Sequence, residues 1–165
     1  MANDHEMMGF STKAIHGGQE PNAAGALVTP IYQASTFVFE SAQQGARRFA
    51  QQEDGYIYTR LGNPNAAELE RKVALLEGAE AALATASGMG AITSALWSVL
   101  EPGDHVVAGR ALYGCTFSFL SHGASRYGVE TTFVDAADSE EVRRALRPNT
   151  KVVYLESPAN PTITI

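Results

Sequence analysis

Apolar residues recur at Leu69, Val73 and Leu76, which is the spacing of one helical face. Asn63 and Pro64 ahead of them suit an N-cap and a first helical position, and Gly78 suits the stop. Beyond that helix the pattern changes repeatedly. An apolar run over 81–85 is followed by a helix over 90–100, a strand over 105–108 and a helix over 114–126. A strand over 129–134, a helix over 139–147 and a strand over 151–156 complete the series. Strands alternating with helices predict an α/β fold with a mostly parallel sheet and helical crossovers.

The first 62 residues read differently. An extended stretch over 26–39 is broken by Pro30, and a helix over 41–52 opens on Ser41 with Gln44 three residues later, the spacing of a capping box. An aromatic run over 55–60 suits a short strand, and turn chemistry closes it over 61–64. The expected organisation is an irregular N-terminal arm over 1–62, too poor in periodic apolar positions to fold alone, and a sheet domain over 63–165. The last strand runs into a proline-rich loop over 157–162 with no covering helix after it. The expectation is therefore of a truncated α/β domain.

Composition narrows the classes. With 45% hydrophobic and 18% charged residues in 165, the chain is far from the composition that stays disordered. A net charge of −6 speaks against a phosphate-backbone binder, and the basic pairs Arg47-Arg48 and Arg143-Arg144 lie in short helical stretches. No nucleic-acid partner is expected. No apolar stretch approaches the ~18 residues of a membrane span, and the start lacks the basic head and apolar run of a signal peptide. No membrane partner is expected, and the cytosol is the expected compartment. The single cysteine, Cys115, has no internal disulfide partner.

Candidate chemistry gathers where ligands collect in open parallel sheets, outside the carboxyl ends of the strands. Ser87, Gly88, Met89 and Gly90 lie at the start of a helix, where free N–H groups attract anions. They read equally as a tight turn or as a phosphate cradle. Tyr113 follows a strand and either packs half-buried or stacks on a planar ligand. Glu156 and Asn160 flank prolines in a stiff loop and form either a site or a capped turn. In an extended 56–60 segment Tyr58 and Arg60 point the same way; they make a phosphate grip or an ordinary surface pair. Cys115 is either a small packed residue or a thiol activated at a helix start. His16, His105 and His122 lack partners at ligand spacing, and no metal site is expected.

Taken together, GYIYTRLGNPN (55–65), ATASGMGAI (84–92), LYGCT (112–116) and YLESPANPT (154–162) resemble the Cys/Met-metabolism family of pyridoxal 5'-phosphate (PLP) enzymes, from about Gly9 onward. The resemblance implies the fold-type-I architecture, PLP as cofactor, a small sulfur amino acid as substrate, and a homotetramer of two tight dimers. It implies that the Gly88 and Met89 N–H groups bind the cofactor phosphate with Ser87 in support. Tyr58 and Arg60 would reach that phosphate from a neighbouring subunit, with Tyr58 also near substrate. Tyr113 would stack on the ring and move protons, Glu156 would support the ring, and Asn160 would lie near the cofactor hydroxyl and the substrate carboxylate. Most of the family resembles YGGT where this chain has YGCT. The branch with cysteine releases a thiol from methionine by γ-elimination, so Cys115 is expected near the substrate's sulfur end. Cleavage or synthesis of cystathionine and sulfhydrylation of an acylated homoserine are the alternatives within the family. The covalent cofactor lysine is expected downstream, because Lys13, Lys72 and Lys151 lack the family's Ser/Thr-x-x-Lys setting. The 165 residues alone are therefore expected to be inactive.

Overall fold

A computed structural model describes residues 8–165, which form two compact units, one running to Ala84 and one from Thr85. Among the described residues the first unit holds three helices: α1 (Phe10–His16), α2 (Ala42–Phe49) and α3 (Pro64–Glu77). Helix α3 starts as its sequence dictates, with the Asn63 side chain accepting from the Asn65 N–H and Pro64 in the first turn. It stops at Gly78, whose φ of +63° is the left-handed conformation glycine adopts without strain.

Helix α1 was not expected, since its seven residues are too few to show a period. It packs against α3. A side chain at Gly17 would press on the Lys13 carbonyl and on Leu75, so glycine there lets the chain pass close to α3. Helix α3, which its periodicity assigned to the sheet domain, thus sits in the unit of the arm.

Helix α2 is shorter than expected, and its cap differs in one partner. The Ser41 hydroxyl accepts from the Gln44 N–H, while the Gln44 side chain accepts from the N–H of Glu40 rather than of Ser41. The stretches over 26–39 and 55–60 meet at a single antiparallel bridge, Thr36 with Tyr58, and form no strand. Turn bonds from Leu61 and Gly62 to the Tyr58 carbonyl replace the next rung. The run over 81–85 is not a strand either. Its Leu83 is 79% exposed, and the Ala84 N–H is satisfied by the Glu70 carboxylate instead of a neighbouring strand.

The second unit carries the parallel sheet. Strand β1 (His105–Gly109) lies between β2 (Glu130–Val134) and β3 (Thr150–Tyr154), both parallel to it. All five β1 residues are buried, as the near-continuous apolar run of a central parallel strand requires. Helix α4 (Gly88–Trp97) begins two residues earlier than its periodicity indicates, because Ser87 rather than Met89 is the cap. The helix expected over 114–126 is a true α-helix only in α5 (Gly114–Ser118), then a wider turn over Phe119–Gly123 and a tighter one over Ala124–Tyr127. Ser121 and Ser125 donate their hydroxyls to carbonyls four residues back, competing with the regular ladder. Helix α6 (Ser139–Ala145) links β2 to β3.

The core joins Leu96 of α4 and Leu100 just beyond it to Val106 and Ala108 of β1, Leu120, Ala124 and Val129. The residues that follow β1, β2 and β3 line a crevice at the carboxyl ends of the strands, where α/β sheets bind ligands. At the other end His105, wholly buried, fixes all three strands: its Nδ1 lies 2.8 Å from the Thr150 hydroxyl and its Nε2 2.8 Å from that of Thr132. Among the described residues, no helix is long and apolar enough to cross a membrane.

Candidate functional site

The start of α4 offers an anion site built from backbone. Of its first N–H groups, that of Gly90 is held by the Ser87 hydroxyl at 3.0 Å and that of Ala91 by the Ser87 carbonyl at 3.0 Å. Those of Gly88 and Met89 have no partner among the described residues, as the geometry of a helix start leaves them. The space beside Gly88 is open, with nothing within 4 Å of where a side chain would begin. Ser87, Gly88 and Met89 are thus placed together, with two free donors at the positive end of a helix dipole.

Met89 ties this helix start to the loop after β1. Its sulfur accepts from the Thr116 hydroxyl at 3.6 Å, and Thr116 is wholly buried one turn beyond Tyr113. Thr116 was missed in the sequence, where a threonine inside a short helix carries no pattern. Tyr113, the residue before α5, is 41% exposed at the edge of that loop. The neighbouring Cys115 sulfur, through a hydrogen bond with the phenol and its charge, holds Tyr113 above the usual phenol range. The Cys115 thiol itself is exposed rather than packed.

Glu156 stands in the loop with Asn160, as expected, because β3 ends at Tyr154 rather than at 156. Its carboxylate accepts from the Tyr113 N–H at 2.9 Å and from the Asn160 N–H at 2.8 Å. The loop it begins is not extended; it closes on itself through the Ile163 N–H and the Ala159 carbonyl. Tyr154, at the end of β3, is raised above the usual phenol range by burial, with the Glu156 charge adding to it. A cavity of about 380 Å³ lies at the carboxyl ends of the three strands, its wall including Gly109, Val134, Leu155 and Glu156.

In the first unit, Tyr58 and Arg60 meet as their alternation indicates. The Arg60 guanidinium lies 4.7 Å from the centroid of the Tyr58 ring. Both border an open groove with Tyr32, Ser35 and Thr59. The ion pairs of this unit engage Arg47, Arg48, Arg71 and Lys72, and Arg60 takes part in none among the described residues.

Residues 11–165 match the family described as Cys/Met metabolism PLP-dependent enzyme. The chain belongs to that family. It is 65% identical over 155 residues to an L-methionine gamma-lyase of Porphyromonas gingivalis, an alignment covering 94% of this chain and 39% of the relative. Among solved structures it is similar to metB of Corynebacterium glutamicum, with a TM-score of 0.87 and 40% identity, over 98% of this chain and 40% of that one. It is also similar to a putative O-acetylhomoserine (thiol)-lyase of Campylobacter jejuni, whose structure holds N'-pyridoxyl-lysine-5'-monophosphate. There the TM-score is 0.88 and the identity 35%, over 96% of this chain and 39% of that one. The chain thus spans about two-fifths of the length of the relatives it matches. The fold is that of the fold-type-I PLP-dependent enzymes.

The residues present fit the family's cofactor. A phosphate needs donors without a competing acceptor, and in the second unit the N–H groups of Gly88 and Met89 are such donors. A pyridine ring needs an accessible aromatic face, and Tyr113 is a large exposed ring in the same unit as Gly88 and Met89.

Proposed function

We propose that a protein carrying this chain catalyses γ-elimination of L-methionine, consuming water and yielding methanethiol, 2-oxobutanoate and ammonia. The observation that carries this reading is the 65% identity to an L-methionine gamma-lyase over nearly the whole chain. The cysteine in LYGCT adds to it.

PLP, when bound, supplies the electron sink that makes protons at the substrate's Cα and Cβ removable. The N–H groups of Gly88 and Met89 hold its phosphate, and Ser87 keeps the helix start in shape. Tyr58 and Arg60 act on the phosphate of a neighbouring subunit in a homotetramer of two tight dimers, and Tyr58 also borders the substrate. Tyr113 lies against the cofactor ring. Its raised phenol keeps its proton at neutral pH and can deliver it to the departing thiolate. Cys115, in the first turn of α5 two residues after Tyr113, faces the substrate's sulfur end. Asn160 contacts the cofactor hydroxyl and the substrate carboxylate, and Glu156 supports both loops. The covalent cofactor lysine belongs to sequence outside these 165 residues, and the enzyme works in the cytosol.

The likeness to a putative O-acetylhomoserine (thiol)-lyase supports a second reading, in which an acylated homoserine is the preferred substrate, with cystathionine as the other alternative within the family. Assay of the natural protein for methanethiol release from methionine decides between them. Rapid turnover of cystathionine or O-acetylhomoserine without methanethiol release from methionine overturns the first reading. Borohydride reduction of the isolated 165-residue chain with PLP, followed by intact mass, is expected to show no pyridoxyl adduct at Lys13, Lys72 or Lys151 beyond that of free lysine.

A further inference from the structure

Two loops carry the chemistry assigned above, one after β1 with Tyr113 and Cys115 and one after β3 with Asn160. Neither loop belongs to the sheet ladder, which ends at Gly109 and Tyr154. The strands bring their starting points side by side, but nothing in the ladder fixes the loops relative to each other.

One side chain does. The Oε2 atom of Glu156 accepts the N–H of Tyr113 and its Oε1 atom accepts the N–H of Asn160. Both donors are backbone groups, so the carboxylate holds main chain rather than side-chain tips. The two contacts also consume the donors that these positions would otherwise leave open: Tyr113 precedes α5 and has no side-chain cap, and Asn160 lies in a turn. Bonds to a charged acceptor are about twice as strong as neutral ones.

We propose that Glu156 is a positioning residue that sets the spacing between Tyr113 and Asn160. Its two oxygens join the segment after β1 to the turn after β3, so the ring-bearing loop and the Asn160 loop move as one piece. The bracket also fixes where α5 begins, and with it the approach of Cys115 to the Tyr113 phenol. Glu156 need touch neither cofactor nor substrate for this. The inference rests on the proposed function for its catalytic consequence but not for its structural one.

Only a side chain with two acceptors and the reach of glutamate can make both bonds. Glu156→Gln keeps the length but turns a donor amide toward one of the two N–H groups. Glu156→Asp keeps the charge but is shorter by one methylene.

Amide hydrogen exchange on the natural protein, with and without PLP, tests the bracket directly. In the wild type the amides of Tyr113 and Asn160 are expected to be protected although neither lies in a helix or strand. In Glu156→Gln at least one of them should exchange about tenfold faster or more, with α4 and β1 unchanged. Steady-state kinetics supply the second reading: kcat should fall about tenfold or more in both variants while PLP content and melting temperature stay close to wild type. The alkaline limb of the kcat profile should also move, because the loop no longer holds the phenol against Cys115. Unprotected wild-type amides at both positions overturn the inference, and this measurement needs no variant to fold. Full rescue of kcat by Glu156→Asp also overturns it, since charge alone would then suffice. Failure of methionine as substrate, with the exchange pattern as expected, sinks the proposed function and leaves the bracket standing.

Discussion

The guanidinium of Arg60 lies over the ring of Tyr58, 4.7 Å from its centroid, and engages no carboxylate among the described residues. Stacking holds the cation in place without neutralising it, which suits a group meant for an external anion. Arg60→Ala in the natural protein should therefore lower PLP retention on dialysis by about tenfold or more, through loss of a charge-assisted contact. Melting of the cofactor-free protein should change little. Unchanged retention would return Arg60 to an ordinary surface residue.

How far this was legible in the sequence follows from which signals are local. Helix α3 was readable at both ends because Asn63 caps through a side chain that reaches only two residues on, while Pro64 and Gly78 act through their own backbone. Strand β1 was readable because burial on both faces leaves an unbroken apolar run. The run over 81–85 looked the same, yet strand formation needs a partner, and Glu70 took the Ala84 N–H instead. The pairing of Tyr58 with Arg60 survived although the strand expected to produce it shrank to one bridge. The Glu156 bracket was hidden for the opposite reason. Tyr113 and Asn160 are joined by a contact 43 residues apart in sequence on one side, and no period or motif encodes it.

Ser87 should matter for stability before it matters for chemistry. Its hydroxyl accepts the Gly90 N–H and its carbonyl the Ala91 N–H, so it caps α4 alone. Ser87→Ala should cost about 1 kcal/mol in denaturant unfolding of the cofactor-free protein. Ser87→Asp, which also caps, should recover that loss yet weaken PLP binding by placing a negative charge beside the phosphate site. Equal stability of the wild type and the alanine variant would remove the capping role.

His105 makes the sheet sensitive to acid. Burial holds its imidazole below the usual histidine range, Arg147 pushes in the same direction, and Glu130 opposes them. A base whose pKa is lowered by folding binds its proton first in the unfolded chain. Its contribution to stability is complete above the ordinary histidine range and is lost as pH falls through that range toward the folded value. Melting temperature should thus decline from about pH 7.5 to about pH 5.5. His105→Asn, which keeps polar contact with Thr132 and Thr150 but does not titrate there, should flatten that slope. An identical slope in the variant would assign the acid sensitivity to other groups.

Cys115 provides a test of where the substrate's sulfur lies. The thiol is exposed and sits two residues from Tyr113, whose phenol it holds above its usual range. If substrate occupies the crevice beside α5, saturating methionine should slow alkylation of Cys115 by iodoacetamide several-fold in the holoenzyme, read by peptide mass. Cys115→Ser replaces a large polarisable sulfur by a smaller hydroxyl, so it should relax the Tyr113 phenol toward its ordinary range. The alkaline limb of the kcat profile should then shift to lower pH while PLP content stays the same. Equal alkylation with and without methionine, together with an unshifted profile, would mean that Cys115 faces solvent and takes no part in recognising the sulfur.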